Sequence, residues 1–249
     1  MNDFLPIWEN KIKFNNHKNL PNSLRCLIFG SSGCGKTCLL LKMLLTPNFL
    51  DYDNLIIFTK SSFQPEYQLL SQGFNAGLQK EDIIGLFKLQ NKLNDYNIED
   101  IIQLFCDTQR CKKKSKPITC ILSDNTDDIP SPQDLDKSKK NLVIFDDCVN
   151  ERNQTVMDSY YTRGRHSSCN CIYLSQSYFQ LPRRSIRNNA NTFILFKLNS
   201  IDINNFWRDN CSTLCSKKEF EDYMKHTTEK YKYIAVKQDE ILRDIFFVL

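Results

Sequence analysis

One eight-residue segment, Gly30-Ser31-Ser32-Gly33-Cys34-Gly35-Lys36-Thr37, narrows the possible folds of this chain more than any other feature. It fits G-x-x-x-x-G-K-[ST], and its flanks fit the same pattern. The apolar run at 24–29 stops at Gly30 and reads as a buried strand. Residues 37–45, rich in Leu and Lys, read as a helix that ends before Pro47. Glycines in such a turn let successive backbone N–H groups point inward around a phosphate. The helix start adds the positive end of its dipole. Lys36 is placed to reach the β- and γ-phosphates, and the Thr37 hydroxyl to ligate Mg²⁺. The expected nucleotide-binding set is Gly30, Ser31, Ser32, Gly33, Cys34, Gly35, Lys36, Thr37 and Cys38, with ATP and Mg²⁺ as cofactors.

Further apolar runs recur at 54–59, 141–145, 171–175 and 192–196, with helix-like stretches around 65–72, 81–105 and 219–225. Residues 231–237 and 241–249 are strand-like. Buried strands alternating with helices predict an α/β fold, a mostly parallel sheet with helices on both faces. Ligands in such sheets bind at the carboxyl ends of strands. The expected organisation is an N-terminal arm at 1–20, a core at 21–200 with an insertion at about 72–140, and a C-terminal helix and strands at 201–249 packed on the core. Within the insertion, 124–140 reads as a mobile loop.

Phe145-Asp146-Asp147 closes an apolar run in the manner of a Walker B strand. A carboxylate at a strand tip beside a phosphate loop holds Mg²⁺, the role expected of Asp146; the next one polarises water, the role expected of Asp147. The run at 54–59 lies between the two motifs, which suits additional-strand (ASCE) P-loop NTPases. No Asn-Lys-x-Asp guanine-reading motif occurs. Gln176 ends the 171–175 run, and its strand is expected between the loop strand and the acidic strand. Its amide would then sense both γ-phosphate and water. Arg163 and Arg165 flank a glycine before that strand; a planar, always-charged fork suits a finger donated to a neighbouring subunit. Arg183, Arg184 and Arg187 follow it and suit DNA or a subunit interface.

The motifs in their order resemble the DNA-packaging ATPases of the FtsK–HerA superfamily. They are GSSGCGKT, NLIIFTKSSFQPEYQLL (54–70), NLVIFDD and YTRGRHSSCNCIYLSQSYFQLPRRSIRNN (161–189). The poxvirus-type group of large DNA viruses, virophages and Polinton-like elements is the nearest. The resemblance spans about 20–200, and "TRGRH … SQS … LPxxxRxN" is its specific part. It implies a ring-forming motor, pentameric or hexameric, that pumps double-stranded DNA into a capsid at one vertex. It also implies a location inside the host cell, in cytoplasm or nucleus, or on the virion. Lys36 and Thr37 match Walker A, Asp146 and Asp147 match Walker B, and Gln176 matches the polar sensor. The arginine finger falls near Arg163 and Arg165. The family often has Asp-Glu where this chain has Asp-Asp. Other classes remain open from the residues alone: a helicase or remodeller, a nucleotide switch, or a small-molecule kinase.

The 33 Lys+Arg against 29 Asp+Glu leave a net charge of +4, which neither requires nor excludes nucleic acid. The local run Arg110-Cys111-Lys112-Lys113-Lys114-Ser115-Lys116 is different, with five cations in seven residues. Copies of it around a pore would attract DNA phosphates without reading bases. Eleven cysteines, an odd count with no secretory signal before them, argue for reduced thiols. Cys169-x-Cys171 and Cys211-x₃-Cys215 are possible zinc ligands, but no CxxC occurs and only His166 is near, so buried free thiols are expected. The apolar stretch at 37–45 is far shorter than the roughly 18 residues of a membrane span.

Overall fold

The computed structural model describes residues 12–93, 96–109, 117–151, 154–229, 231–237 and 240–243. In chain order they form β1 (Arg25–Phe29), α1 (Lys36–Leu45), β2 (Asn54–Thr59), α2 (Pro65–Asn75), α3 (Lys80–Gln90) and α4 (Ile98–Gln109). There follow β3 (Thr119–Ser123), β4 (Asn141–Asp146), α5 (Thr155–Arg163), β5 (Cys169–Ser175), β6 (Thr192–Leu195), α6 (Ser200–Phe206), α7 (Lys217–Lys225), β7 (Ile234–Lys237) and β8 (Glu240–Arg243). The strands make one eight-stranded sheet in the order β3-β2-β4-β5-β1-β6-β7-β8. The first six in that order are parallel, and β7 and β8 close the far edge antiparallel.

Alternation along each strand sorts side chains onto two faces. Cys26, Ile28, Leu55, Ile57, Leu142, Ile144, Ile172 and Leu174 share one core with buried residues of α1 to α4. Leu27, Phe29, Ile56, Phe58, Val143, Phe145 and Tyr173 share the other with Met157 and Tyr160 of α5, Phe206 of α6 and Phe220 of α7. Both faces of β2, β4, β5, β1 and β6 are therefore dry, which is why those strands read as apolar runs, whereas the edge strand β3 leaves Thr119 and Ile121 exposed.

The helix-like stretch 81–105 is two helices. Asn91 caps the end of α3, and the Asn97 side chain accepts from the Asp100 N–H at the start of α4. These Asn residues favour caps over helix interior, so the pattern breaks there. Ile83, Leu86, Ile101 and Phe105 pack α3 and α4 onto the first core. Thr119–Ser123, within the insertion expected at about 72–140, supply the parallel edge strand β3. The stretch 124–140 holds two short 3₁₀ turns and is anchored: Ile129 and Leu135 enter the second core, and Tyr160 Oη donates to Pro130 O at 2.6 Å. Strand β5 starts two residues before the apolar run because Asn170 is buried within it, where its Oδ1 accepts from Leu24 N at 2.8 Å. The basic run at 110–116 lies outside the described residues.

Candidate functional site

Strand β5 lies between β1 and β4. That order puts three carboxyl ends side by side: the loop after β1, the aspartates after β4, and Gln176 after β5. A cavity of about 270 Å³ opens there, bounded by Lys36, Thr37, Asp146, Asp147 and Gln176, with Ser61 and Gln64 from the β2–α2 connection. Ser32, Gly33, Gly35 and Cys38 also face it. Gly30, Ser31 and Cys34 form the back of the loop. Gly30 N donates to Ser175 O and Ser31 N to Lys197 O, which ties the loop to β5 and to the end of β6.

Lys36 opens α1 and folds back over the loop, its Nζ donating to Gly30 O at 2.7 Å and Ser31 O at 3.1 Å. The cation thus stands among backbone groups that converge on one small volume. Asp146 is only 9 % exposed. Burial raises its pKa; the adjacent Asp147 adds to the rise, while the Tyr67 hydrogen bond and Lys36 oppose it. Tyr67 of α2 is fully buried, and its Oη donates to Asp146 Oδ2 at 2.5 Å. Burial, and then the Asp146 carboxylate, hold Tyr67 above the ordinary phenol range, so it remains a donor. The Thr37 side chain acts on the same hydroxyl in the opposite sense, lowering its pKa. Sequence reasoning gave Tyr67 no role, although it lies within the 54–70 segment that carries the resemblance.

Asp147 is exposed at the cavity mouth with φ 55, a left-handed conformation. Gln176 Nε2 makes long contacts to both its carboxylate oxygens, at 3.4 and 3.5 Å. The two groups expected to handle a water molecule are therefore neighbours. Thr37 and Asp146 present hard oxygen donors to one cavity, a donor set that suits Mg²⁺.

The arginines are not brought to this cavity. Arg163 ends α5 and Arg165 lies in the following turn, both exposed at the amino end of β5. Arg165 donates from Nε to His166 Nε2 at 3.3 Å. Arg187 is a correction to the DNA or interface reading. Its side chain is 7 % exposed, ion-paired to Asp209 at 3.2 Å, and stacked 4.7 Å from the Tyr178 ring centroid. It is a packing strut. Arg183 shares Asp209 at 3.4 Å but stays 61 % exposed, and Arg184 is exposed. The thiols of Cys169, Cys171 and Cys211 are buried, and burial pushes Cys171 and Cys211 each up to about 12.

The chain is similar in fold to the genome packaging NTPase B204 from Sulfolobus turreted icosahedral virus 2 in complex with AMP. The TM-score is 0.51 at 11 % identity, over 89 % of this chain and 96 % of that one. The same protein in complex with sulfate gives 0.50 at 12 % identity, over 89 % and 95 %. VirB4 of Thermoanaerobacter pseudethanolicus gives 0.50 at 10 % identity, over 88 % of each chain. No family model matches the chain, and no curated protein matches its sequence. The likeness is one of fold: an α/β P-loop NTPase with a mostly parallel sheet covered on both faces. Among the described residues, no helix is long and apolar enough to cross a membrane.

Proposed function

We propose that the chain is an ATP-hydrolysing DNA translocase of the FtsK–HerA type, which packages double-stranded viral or virus-like genomes into a capsid. One observation carries the ATPase part. The Lys36 loop, the twin aspartates and Gln176 line a single cavity at the carboxyl ends of adjacent parallel strands. The fold likeness to a packaging NTPase supports the translocase part.

The loop N–H groups and the start of α1 bind the triphosphate, and Lys36 exchanges its two carbonyl partners for phosphate oxygens. Thr37 and Asp146 would hold Mg²⁺, which when bound neutralises charge on the β- and γ-phosphates. Asp147 orients and polarises the attacking water, and the Gln176 amide fixes that carboxylate. Arg163 or Arg165 serves a neighbour's nucleotide in a ring of five or six subunits. Arg110, Lys112, Lys113, Lys114 and Lys116 supply phosphate contacts to DNA that are insensitive to sequence.

The test is ATPase rate with and without duplex DNA, measured with particle mass and across a salt series. Turnover stimulated by intact duplex, in an oligomer, supports the motor; stimulation should fade with salt. Lys36→Ala should abolish nucleotide binding or turnover. Wild-type hydrolysis in Lys36→Ala refutes the loop assignment. Unstimulated turnover by a single chain removes the translocase while leaving an ATPase.

A further inference from the structure

Tyr67 stands outside the phosphate loop and the acidic strand end, yet it reaches the centre of the site. It projects from α2, the helix that joins the outer helices α3 and α4 to the first core. Its ring is fully buried, and its hydroxyl donates at 2.5 Å to Oδ2 of Asp146, which lines the same cavity as Thr37. A carboxylate at the tip of a strand rotates about its terminal torsion with little restraint. A buried phenol holding one oxygen removes that freedom. It leaves Oδ1 as the oxygen free to meet a cation beside Thr37. A Phe at this position would fill the same core volume, so packing alone does not call for the hydroxyl. Burying a carboxylate without a donor is costly, and Tyr67 is the donor that offsets it.

We propose that Tyr67 is a positioning residue for the Mg²⁺–nucleotide complex, acting through Asp146 from a helix outside the phosphate loop. This rests on the nucleotide site proposed above. It adds that the strength of cation binding is set partly from α2. Hydrogen-bond partners of metal-ligating groups commonly change metal affinity by about 10- to 100-fold when removed.

The experiment measures binding of a fluorescent ATP analogue to the full chain in Mg²⁺ and in EDTA. The ratio of the two dissociation constants is the readout, with thermal unfolding as a fold control. For wild type, Mg²⁺ should tighten binding. For Tyr67→Phe, affinity in EDTA should match wild type while the Mg²⁺ enhancement falls by about tenfold or more, with the Mg²⁺ midpoint moved up by a similar factor. In an Asp146→Asn background, Tyr67→Phe should add no further loss. Equal Mg²⁺ enhancement in wild type and Tyr67→Phe overturns the proposal, as does an equal loss with and without metal, which marks a purely structural role. If Tyr67→Phe fails to fold, 3-fluorotyrosine placed at 67 keeps the shape and changes the donor strength. An unmoved Mg²⁺ midpoint in that protein also overturns the proposal. A wild-type chain that binds no nucleotide in either buffer sinks the site itself, a separate outcome.

Discussion

Asp147 sits where few side chains do. Its φ of 55 lies in the left-handed region. That region costs most residues roughly 1–2 kcal/mol, and Asp and Asn, whose short polar side chains bond locally, tolerate it best. This is a physical reason for Asp rather than Glu at the second acidic position. The turn aims the carboxylate at Gln176 Nε2, 3.4 Å away. Asp147→Asn preserves both the turn preference and the shape. It should therefore leave nucleotide affinity and Tm close to wild type while turnover falls by about 10²-fold or more, the usual scale of a lost general base. Single-turnover hydrolysis with a binding control checks this, and fast turnover moves the water-activating role elsewhere. That Asp146, Asp147 and Gln176 meet at one end of the sheet was legible in the sequence because they stand at the ends of apolar runs, and a parallel sheet gathers such ends. Tyr67 was not, since one Tyr in an amphipathic helix looks like any core aromatic. Nor was Arg187, whose partner Asp209 is 22 residues away and meets it only through the fold.

At the scale of elements, the phosphate loop is held by glycines whose surroundings differ. Gly35 precedes α1 at φ 109, well beyond the left-handed well of other residues. A Cβ there would lie 2.6 Å from Tyr231 Cδ1. Gly33 has φ 72, with nothing within 4 Å of an added Cβ. The two glycines therefore predict different costs. Gly33→Ala should cost roughly 1 kcal/mol of left-handed strain, about 2–4 °C in Tm for a chain of this size, and keep nucleotide binding. Gly35→Ala should lose both more stability and most of the binding, because Lys36 and Thr37 follow it directly. Thermal unfolding with a nucleotide titration separates them, and equal effects would mean the loop relaxes more freely than its contacts suggest. Elements buried on both faces were readable as apolar runs. Two unread boundaries fall where polar residues do structural work: Asn97 capping α4, and Asn170 inside β5.

For the whole molecule, the decisive geometry is which end of the sheet each charged group occupies. The cavity lies at the carboxyl end of β5, and Arg163 and Arg165 lie at its amino end. Seven strand residues separate those ends, roughly 20 Å at ~3.3 Å per residue. That span is far beyond the reach of an arginine side chain in the same chain. If either arginine meets a γ-phosphate, a neighbouring copy must hold that phosphate, and activity becomes a property of the assembly. The proposal predicts complementation. A Lys36→Ala chain lacks a working loop but carries both arginines. A chain with Arg163→Ala and Arg165→Ala keeps the loop but lacks both. The chain without the arginines should fall by about 10³-fold or more, the range for a lost arginine finger, and the Lys36→Ala chain should be inactive. Mixed and reassembled, they should regain a measurable share of wild-type turnover, since some loops then face intact arginines. Mixtures no more active than the sum of their parts, or a doubly substituted chain that hydrolyses ATP at the wild-type rate, would return these arginines to the solvated surface.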